Sequence, residues 1–587
     1  MRLRHYALLL CVITFFAYLS SFWNQFVWDD EQFIYNNQFV QNFAITKIFT
    51  TSTTAGSGID SDYYRPLTTL SFALETNLWG LHPFPFHLTN TFLHIASGIF
   101  IFLILLRLHL HKNTAFWISL FFLIHPLQTE AVTYINSRGD SLYTFFGLLS
   151  VLSFLEIYSH KKRAVSLYNL SLSFSRFFFA VITVVLYICT ILSKEIGIAV
   201  IGIYILVAGF KFYSQNKLTI FSFLRQNYIS VLAIIGCSTV VVTYFTLRAT
   251  VLNFSNTFNL YNDGSLYSES LLVRILTFTK VIWIYISLIL FPYPLHMERS
   301  TKIVTQVVSF WPLLTVLVLC LLFYLMLVEY KKNKKLYISF GSLWFFGMLI
   351  PVSGIIPING ILYEHWLYLP IVGFFILIYG IYQLAFSSFS SSSRTTFLFY
   401  ACCTIAVVYS VLTIRQNYFW STPIRLYEYL LRYTQSARIY NNLGMAYSNK
   451  RQQDKAIAMY QKSLQLNKNY PQTFHNLANL YRDTNQPQLA IENYEQALAL
   501  QPNFYFSYPS LIYLLIETED YPKAAQYIEH YKNQWPDNPS IEAMEIILLV
   551  RTNKETDAEK KLLEFATTFP NEISYQKYLQ ELLQEKK

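Results

Sequence analysis

Three consecutive acids, Asp29, Asp30 and Glu31, follow Trp28 just beyond the first long apolar run of the chain. A carboxylate in such a place can take the proton of a hydroxyl, and a neighbouring acid can orient the acceptor or hold a divalent cation. Cations that could complement them are spread along the sequence: Arg65 in Tyr63-Tyr64-Arg65-Pro66, Arg138 in Asn136-Ser137-Arg138-Gly139-Asp140, Lys194 beside Glu195, and His365 beside Glu364. Positive groups of this kind stabilise the charge that builds on a departing phosphate. The chemistry suggested is transfer from a phosphate leaving group to a hydroxyl, with Asp29 or Asp30 as base. Glu31, Asp140, Glu195 and Glu364 are the further acids available to an acceptor or a metal. The bland alternatives are a solvated span end for the acids, and an interfacial anchor or structural ion pair for each cation, a reading favoured for Arg65. His87, His94 and His125 lack the spacing of metal ligands on a helix face and read as packing residues. No Gly-rich phosphate loop with its Lys, no His-Glu-x-x-His and no nucleophile elbow occurs, so nothing points to nucleotide hydrolysis or a zinc protease.

The elements that must position these residues are apolar helices. Hydrophobic residues make up 54% of the 587 and charged ones 13%, a balance that calls for many membrane spans. The net charge of +10 is not a nucleic-acid footprint: Lys+Arg against Asp+Glu is 16 to 18 from Ala437 onward and 28 to 16 before it. The surplus sits in the membrane half, where basic loops set orientation. All six cysteines lie in apolar runs, which argues against a disulfide framework or a Cys metal site. The run up to Trp23 is longer than a signal-peptide core and no small-x-small pattern follows, so it reads as an uncleaved first span.

Span candidates are His5–Trp23, Asn90–Leu108, Ala115–Pro126, Ser141–Tyr158, Phe177–Leu192, Ile196–Phe212, Tyr228–Leu247, Trp311–Val328, Leu336–Ile350, Trp366–Ala385 and Thr396–Ile414. Leu271–Leu290 carries Arg274 and Lys280 and suits an interfacial or re-entrant helix better. About eleven spans follow. Basic loops at Arg2 and Arg4, Arg107 with Lys112, Lys161-Lys162-Arg163, Lys211 with Lys217, and Lys331 to Lys335 place the N-terminus inside and the C-terminus outside. The acids, Arg65, Arg138, Lys194 and His365 then share the outer side, as do the sequon Asn253-Phe254-Ser255 and the C-terminal region.

From Ala437 the composition becomes that of a soluble protein, and a period of 34 residues brings Tyr440, Phe474 and Tyr508 into register. Leu443, Leu477 and Leu511 align, then Tyr447 and Tyr481, then Ala456, Ala490, Ala524 and Ala558, while Pro502, Pro536 and Pro570 close repeats. This is the tetratricopeptide pattern, in which a small Ala lets paired helices approach and Pro ends the second. The fourth repeat has Glu542 and Glu545 at the aromatic and Leu positions, as a capping unit would, and a final helix follows it. The expected fold is all-α. Residues 1–415 form a polytopic membrane helical bundle, 416–436 a linker, and 437–587 a tetratricopeptide solenoid of about four repeats.

Trp28-Asp29-Asp30, Tyr64-Arg65-Pro66-Leu67, His87-Leu88-Thr89-Asn90 with His94, His125-Pro126 with Glu130-Ala131-Val132, Ser137-Arg138-Gly139-Asp140 and Ser193-Lys194-Glu195 occur in this order ahead of the repeats. In that order they resemble the polytopic glycosyltransferases of the C superfamily. With the repeats, the chain is most similar to the transmembrane and tetratricopeptide-repeat-containing protein O-mannosyltransferases and their bacterial relatives. The resemblance implies a membrane glycosyltransferase of inverting type, a polyprenyl-phosphate-linked sugar donor and a base among Asp29-Asp30. It also implies Arg65, Arg138, Lys194 and His365 as phosphate-side residues, although Glu364-His365 departs from the Glu-Arg that relatives tend to carry. The expected acceptor is a protein Ser or Thr presented by the repeats. Modification of lipid A, an O-antigen or another envelope glycan is the rival within the class, and a membrane-anchored repeat scaffold the rival outside it. Compact loops and a C-terminus without a retention signal favour a bacterial inner membrane with periplasmic repeats over an endoplasmic reticulum membrane.

Overall fold

The computed structural model describes residues 2–586 apart from 60, 159–167, 215–218, 251, 253–264, 333–334, 357, 359, 387–391, 536–537 and 571. The basic residues Lys161-Lys162-Arg163, Lys217 and Lys334, the sequon at Asn253 and the repeat-closing Pro536 lie outside the described residues. Among the described residues every regular element is a helix. The chain divides into two compact units, Met1–Leu426 and Tyr427–Lys587.

In the first unit, among the described residues, eight helices are long and apolar enough to cross a bilayer, or nine counting the bent pair Lys112–Ile124 and Pro126–Val132. Phe310–Lys331 and Thr396–Phe419 leave most of their side chains outside the fold, including Leu317, Phe323, Phe397, Tyr400 and Val407. A helix that is apolar all round and yet uncovered has lipid as its solvent. The chain is an integral membrane protein with multiple spans.

The count differs from the eleven expected for three reasons. The helix Arg138–Glu156, expected as a span from Ser141, opens on Arg138 and Asp140 and ends on an acid, and does not qualify. Tyr337–Val352 and Pro370–Phe386 are apolar but short. Leu271–Leu290, expected to be interfacial, does qualify. Its Arg274 is buried and donates to the carbonyls of Gly354 at 2.5 Å, Ser268 at 2.6 Å and Tyr267 at 3.3 Å. The charge is thus shielded by backbone oxygens instead of facing lipid.

Two contacts fix this unit. Tyr337–Leu349 and Pro370–Phe386 touch backbone to backbone: a Cβ on Gly373 would stand 2.5 Å from the Phe345 nitrogen, and one on Gly380 2.6 Å from that of Ile338. Small residues permit such an approach, and dispersion then replaces the hydrophobic drive that lipid does not supply. At the other end of the unit Asn417, fully buried, donates to the Ala17 carbonyl at 3.0 Å and accepts from Thr133 Oγ1 at 2.6 Å. Its own carbonyl accepts from Asn24 Nδ2 at 3.1 Å. The last long helix is thereby tied to the end of the first.

The second unit pairs Ala437–Asn449 with Gln453–Leu466, Pro471–Asp483 with Pro487–Leu500, Ser507–Glu517 with Tyr521–Gln534, and Pro539–Arg551 with Glu555–Thr568, before a final helix Ile573–Lys586. Ala456, Ala490, Ala524 and Ala558 are all fully buried, as the small-residue reading requires. The turn inside each pair has a left-handed residue at the same offset: Arg451, Asn485, Glu519 and Asn553, with φ of 58°, 58°, 62° and 57°. At the aromatic and Leu positions of the fourth repeat ion pairs take the place of apolar contacts, Lys532 with Glu542 at 2.7 Å and with Glu545 at 2.6 Å.

Candidate functional site

The acid loop is mounted on a small apolar cluster of Phe33, Ile34, Val40, Ile48, Phe72, Phe86 and Ile135. Trp28, immediately before the acids, has φ of 57°. A bulky residue in the left-handed region costs energy and persists where the surroundings over-determine it. The consequence is a division between two adjacent carboxylates. Asp30 is fully buried, and its oxygens accept from the backbone N–H groups of Val27 at 2.9 Å and Asn136 at 2.8 Å. Burial pushes it up to about 8, against the pull of those two N–H groups and of Arg138. Asp29 is only half-buried, and its backbone N–H donates to the Tyr134 hydroxyl at 3.2 Å. Tyr134 is itself stacked on Trp420. Glu31 is half-buried beside Asn36, which donates to it at 3.5 Å.

The cations separate in the same way. Arg138 is fully buried, with its guanidinium committed to Glu75 at 2.7 Å, Asn90 Oδ1 at 2.7 Å, the Phe86 carbonyl at 3.0 Å and Ser71 Oγ at 3.3 Å. It lies over the Phe72 ring as well. A guanidinium enclosed this way braces the helices Pro66–Trp79, Pro83–Arg107 and Arg138–Glu156 at their junction, a place at odds with the phosphate-side position expected of it. Lys194 is also buried, its ammonium 2.7 Å from Asp140 Oδ2. Burial draws Lys194 down from its ordinary value while Asp140 holds it up.

Arg65 is partly exposed and binds Glu195 at 3.0 Å, and Glu195 in turn stands 3.9 Å from Arg248. Tyr64 donates its backbone N–H to the same carboxylate at 3.3 Å. The negative charges of both Glu195 and Asp29 act on Tyr63, which places the acid loop beside the Arg65 cluster. On the far strand of this network Glu364 is buried and takes Arg299 at 2.7 Å and the His296 backbone N–H at 2.8 Å. Burial raises Glu364, Arg299 opposes the rise, and the like charge of Glu130 adds to it. His365 donates its backbone N–H to Glu130 at 3.1 Å, and its Nδ1 is 2.8 Å from the same carboxylate. Burial, reinforced by Lys194 and Arg65, pulls the imidazole down to about 3. His365 is therefore neutral near pH 7, and Arg299 is the cation at this position.

Of the residues expected from sequence, the structure gathers Asp29, Asp30, Arg65, Asp140, Lys194, Glu195, Glu364 and His365 into neighbouring networks, and turns Arg138 inward. Sequence reasoning missed Arg248 and Arg299. The signal available was orientation: both fall on the expected outer side, where the loop bias disfavours Arg and each one demands a partner. The three histidines bond to backbone carbonyls, His87 to Asn24 at 3.1 Å, His94 to Leu123 at 2.8 Å and His125 to Ile289 at 3.0 Å. Among the described residues no group of three or more His, Cys, Asp or Glu is placed to hold a metal ion.

Fold and site together define a polytopic membrane protein with a charged cluster at one end of its helices and a C-terminal helical-repeat array. A tetratricopeptide-repeat family model matches residues 435–503. Protein O-mannosyl-transferase F38B6.6 of Caenorhabditis elegans is 25% identical over 477 residues, covering 79% of this chain and 63% of that protein. Protein O-mannosyl-transferase TMTC3 of Mus musculus is 25% identical over 472 residues, covering 76% and 49%. Protein O-mannosyl-transferase TMTC2 of Homo sapiens is 31% identical over 288 residues, covering 46% and 32%. The resemblance to the transmembrane and tetratricopeptide-repeat O-mannosyltransferases thus extends over about three quarters of the chain. The chain spans between about half and two thirds of the length of the first two of these curated relatives.

Proposed function

We propose that the chain is a membrane glycosyltransferase of the C superfamily that moves a sugar from a polyprenyl-phosphate carrier to a protein Ser or Thr hydroxyl, with inversion. Asp29 is the base. It takes the acceptor proton as the hydroxyl oxygen attacks the anomeric carbon, while the bond from that carbon to the phosphate oxygen breaks and its electron pair leaves with the phosphate. Arg65 and Arg299, the partly exposed arginines of the cluster, meet the charge that develops there, with Lys194 behind them. Asp30 positions the loop through Val27 and Asn136, and Arg138 braces it.

The observation that carries this reading is the contrast between the two aspartates. A base must reach its substrate; a fully buried carboxyl raised to about 8 and bonded on both oxygens is poorly placed to do so, and its half-buried neighbour is the more accessible of the two. The repeats are assigned the acceptor chain. Their first helices carry a polar ladder in which Asn441 accepts from Thr473 at 3.1 Å and Asn476 at 3.0 Å, and His475 pairs with Ser507 at 3.0 Å. These bonds, buried at Asn441, Thr473 and Ser507, tie the first helices of neighbouring repeats together and fix the spacing of the array that would hold an extended peptide. The names of the similar proteins support a mannosyl group, and the expected outer compartment is a bacterial periplasm.

The test is sugar transfer by purified, reconstituted protein from a polyprenyl-phosphate sugar to a Ser/Thr peptide. Asp29→Asn is expected to lower transfer by about 100-fold or more while the protein stays folded in the membrane. Transfer at the wild-type rate by that variant would remove Asp29 from the mechanism.

A further inference from the structure

At the end of the membrane unit away from the carboxylates lies a cavity of about 760 Å³. The helix Pro83–Arg107 connects the two regions: Phe86 near its start touches Arg138, and Leu106 near its end lines the cavity. At 1.5 Å per residue that helix is about 37 Å long, enough to place the two at opposite faces of a bilayer.

The lining has two characters. Leu106, Leu110, Leu384, Tyr337 and Tyr379 form an apolar wall. Lys112 and Lys335 supply charge, with His109 and His111 beside them. Lys211 is close enough that its charge, like that of Lys335, is felt at His109. One carboxylate, Glu329, is also present, but both of its oxygens are engaged by the start of the helix Tyr337–Leu349. Oε1 accepts from the Ile338 N–H at 2.9 Å, and Oε2 from the Ser339 N–H at 3.1 Å and its hydroxyl at 3.2 Å. The opening of the helix Lys112–Ile124, whose dipole favours an anion, borders the same space. The two loops that meet here are fastened at one atom, the His109 carbonyl, which accepts from Lys335 Nζ at 3.4 Å and Tyr337 Oη at 3.3 Å. Each loop contains a left-handed residue, His109 with φ of 63° and Leu336 with φ of 49°, a costly backbone held in place on both sides of the cavity.

We propose that this cavity binds the headgroup of an anionic phospholipid, with the phosphodiester at Lys112 and Lys335 and an acyl chain along the leucine and tyrosine wall. The volume falls within the range of small-molecule sites. Basic pockets between helix ends at a membrane surface suit such headgroups. A free phosphate would use the lysines and leave the apolar wall without a purpose, which is why the lipid is the favoured source. The proposal stands apart from the transfer chemistry.

The test uses the full chain in nanodiscs of phosphatidylcholine containing 20% phosphatidylglycerol, with bound lipid read by native mass spectrometry after detergent release. The wild type is expected to retain phosphatidylglycerol, and Lys112→Gln with Lys335→Gln to retain about tenfold less. Lys112→Arg with Lys335→Arg is expected to keep it. Equal retention by the wild type and the Gln pair overturns the proposal, as does full displacement by 10 mM inorganic phosphate, which would mark a soluble anion as the ligand. Should the Gln pair fail to fold, a photoreactive phosphatidylglycerol decides on the wild type: cross-links to Tyr337 or Tyr379 support the site, and cross-links confined to other helices overturn it.

Discussion

The two units treat charge in opposite ways. In the membrane unit the pairs Arg138–Glu75 and Lys194–Asp140 are enclosed, with side-chain exposures of 0%/7% and 7%/1%. In the repeat unit Arg551–Glu517 and Lys523–Glu495 stand in water, at 42%/43% and 38%/28%. An enclosed pair is worth little against a well-packed apolar alternative, but removing one member strands the other in a medium that cannot solvate it. A solvated pair has a substitute partner in water at all times. Enclosed charges therefore fix geometry, which is what a site built from separate loops requires. Exposed charges keep the array soluble and leave its shape to the buried alanines and leucines.

Lys194→Met or Glu75→Gln sharpens this contrast most. Each leaves a buried charge without its partner and is expected to cost about 3–5 kcal/mol, read as a large loss of thermal stability and of folded yield in detergent. A loss no greater than that of a surface pair would break the comparison. Asp30 gives a pH signature in place of a constant loss. Its carboxyl is raised from 3.8 to about 8, so the stability it contributes is fully present below 3.8 and is lost progressively as pH climbs from there to about 8. Melting curves of wild type and Asp30→Asn should shift relative to one another between about pH 4 and about pH 8, in favour of the variant at the alkaline end. A constant offset would show the group ionised throughout.

The repeat unit should answer to backbone instead of charge. Glu519→Gly relieves a left-handed glutamate at a helix end and is expected to stabilise the isolated transition of the repeats by about 0.5–1 kcal/mol in urea denaturation. The smallest effect is expected for Arg551→Ala, within about 0.5 kcal/mol of wild type in the same assay.

How far these features could be read in advance depends on whether they repeat. The offsets of Leu443, Leu477 and Leu511, and of the four alanines, were legible because one steric demand recurs every 34 residues and leaves the same residue type each time. The left-handed turns recur at that period too, yet they escaped notice, since Arg451, Asn485, Glu519 and Asn553 share no glycine to advertise them. In the membrane unit, hydropathy located most of the spans, but it was misled at Leu271–Leu290 by an arginine whose partners are carbonyls elsewhere in the chain. The site residues were visible as polar groups on one expected side. Their pairing was not, because Arg65–Glu195 and Arg299–Glu364 join positions 130 and 65 residues apart, and no local period encodes such a choice. Arg138 shows the limit best: its neighbours in sequence mark it as functional, and only the fold reveals that its guanidinium is already spent.

The knot at Asn417 has a consequence for biogenesis. It joins the final long helix to Ala17 and Asn24 across 400 and 393 residues. At about 5–20 residues per second, a ribosome takes roughly 20–80 s to supply the second end after the first has been made. Until then the loop bearing the acids has no anchor on that side. A nascent or truncated chain would therefore sit in the membrane with its helices inserted and the proposed transfer centre unassembled.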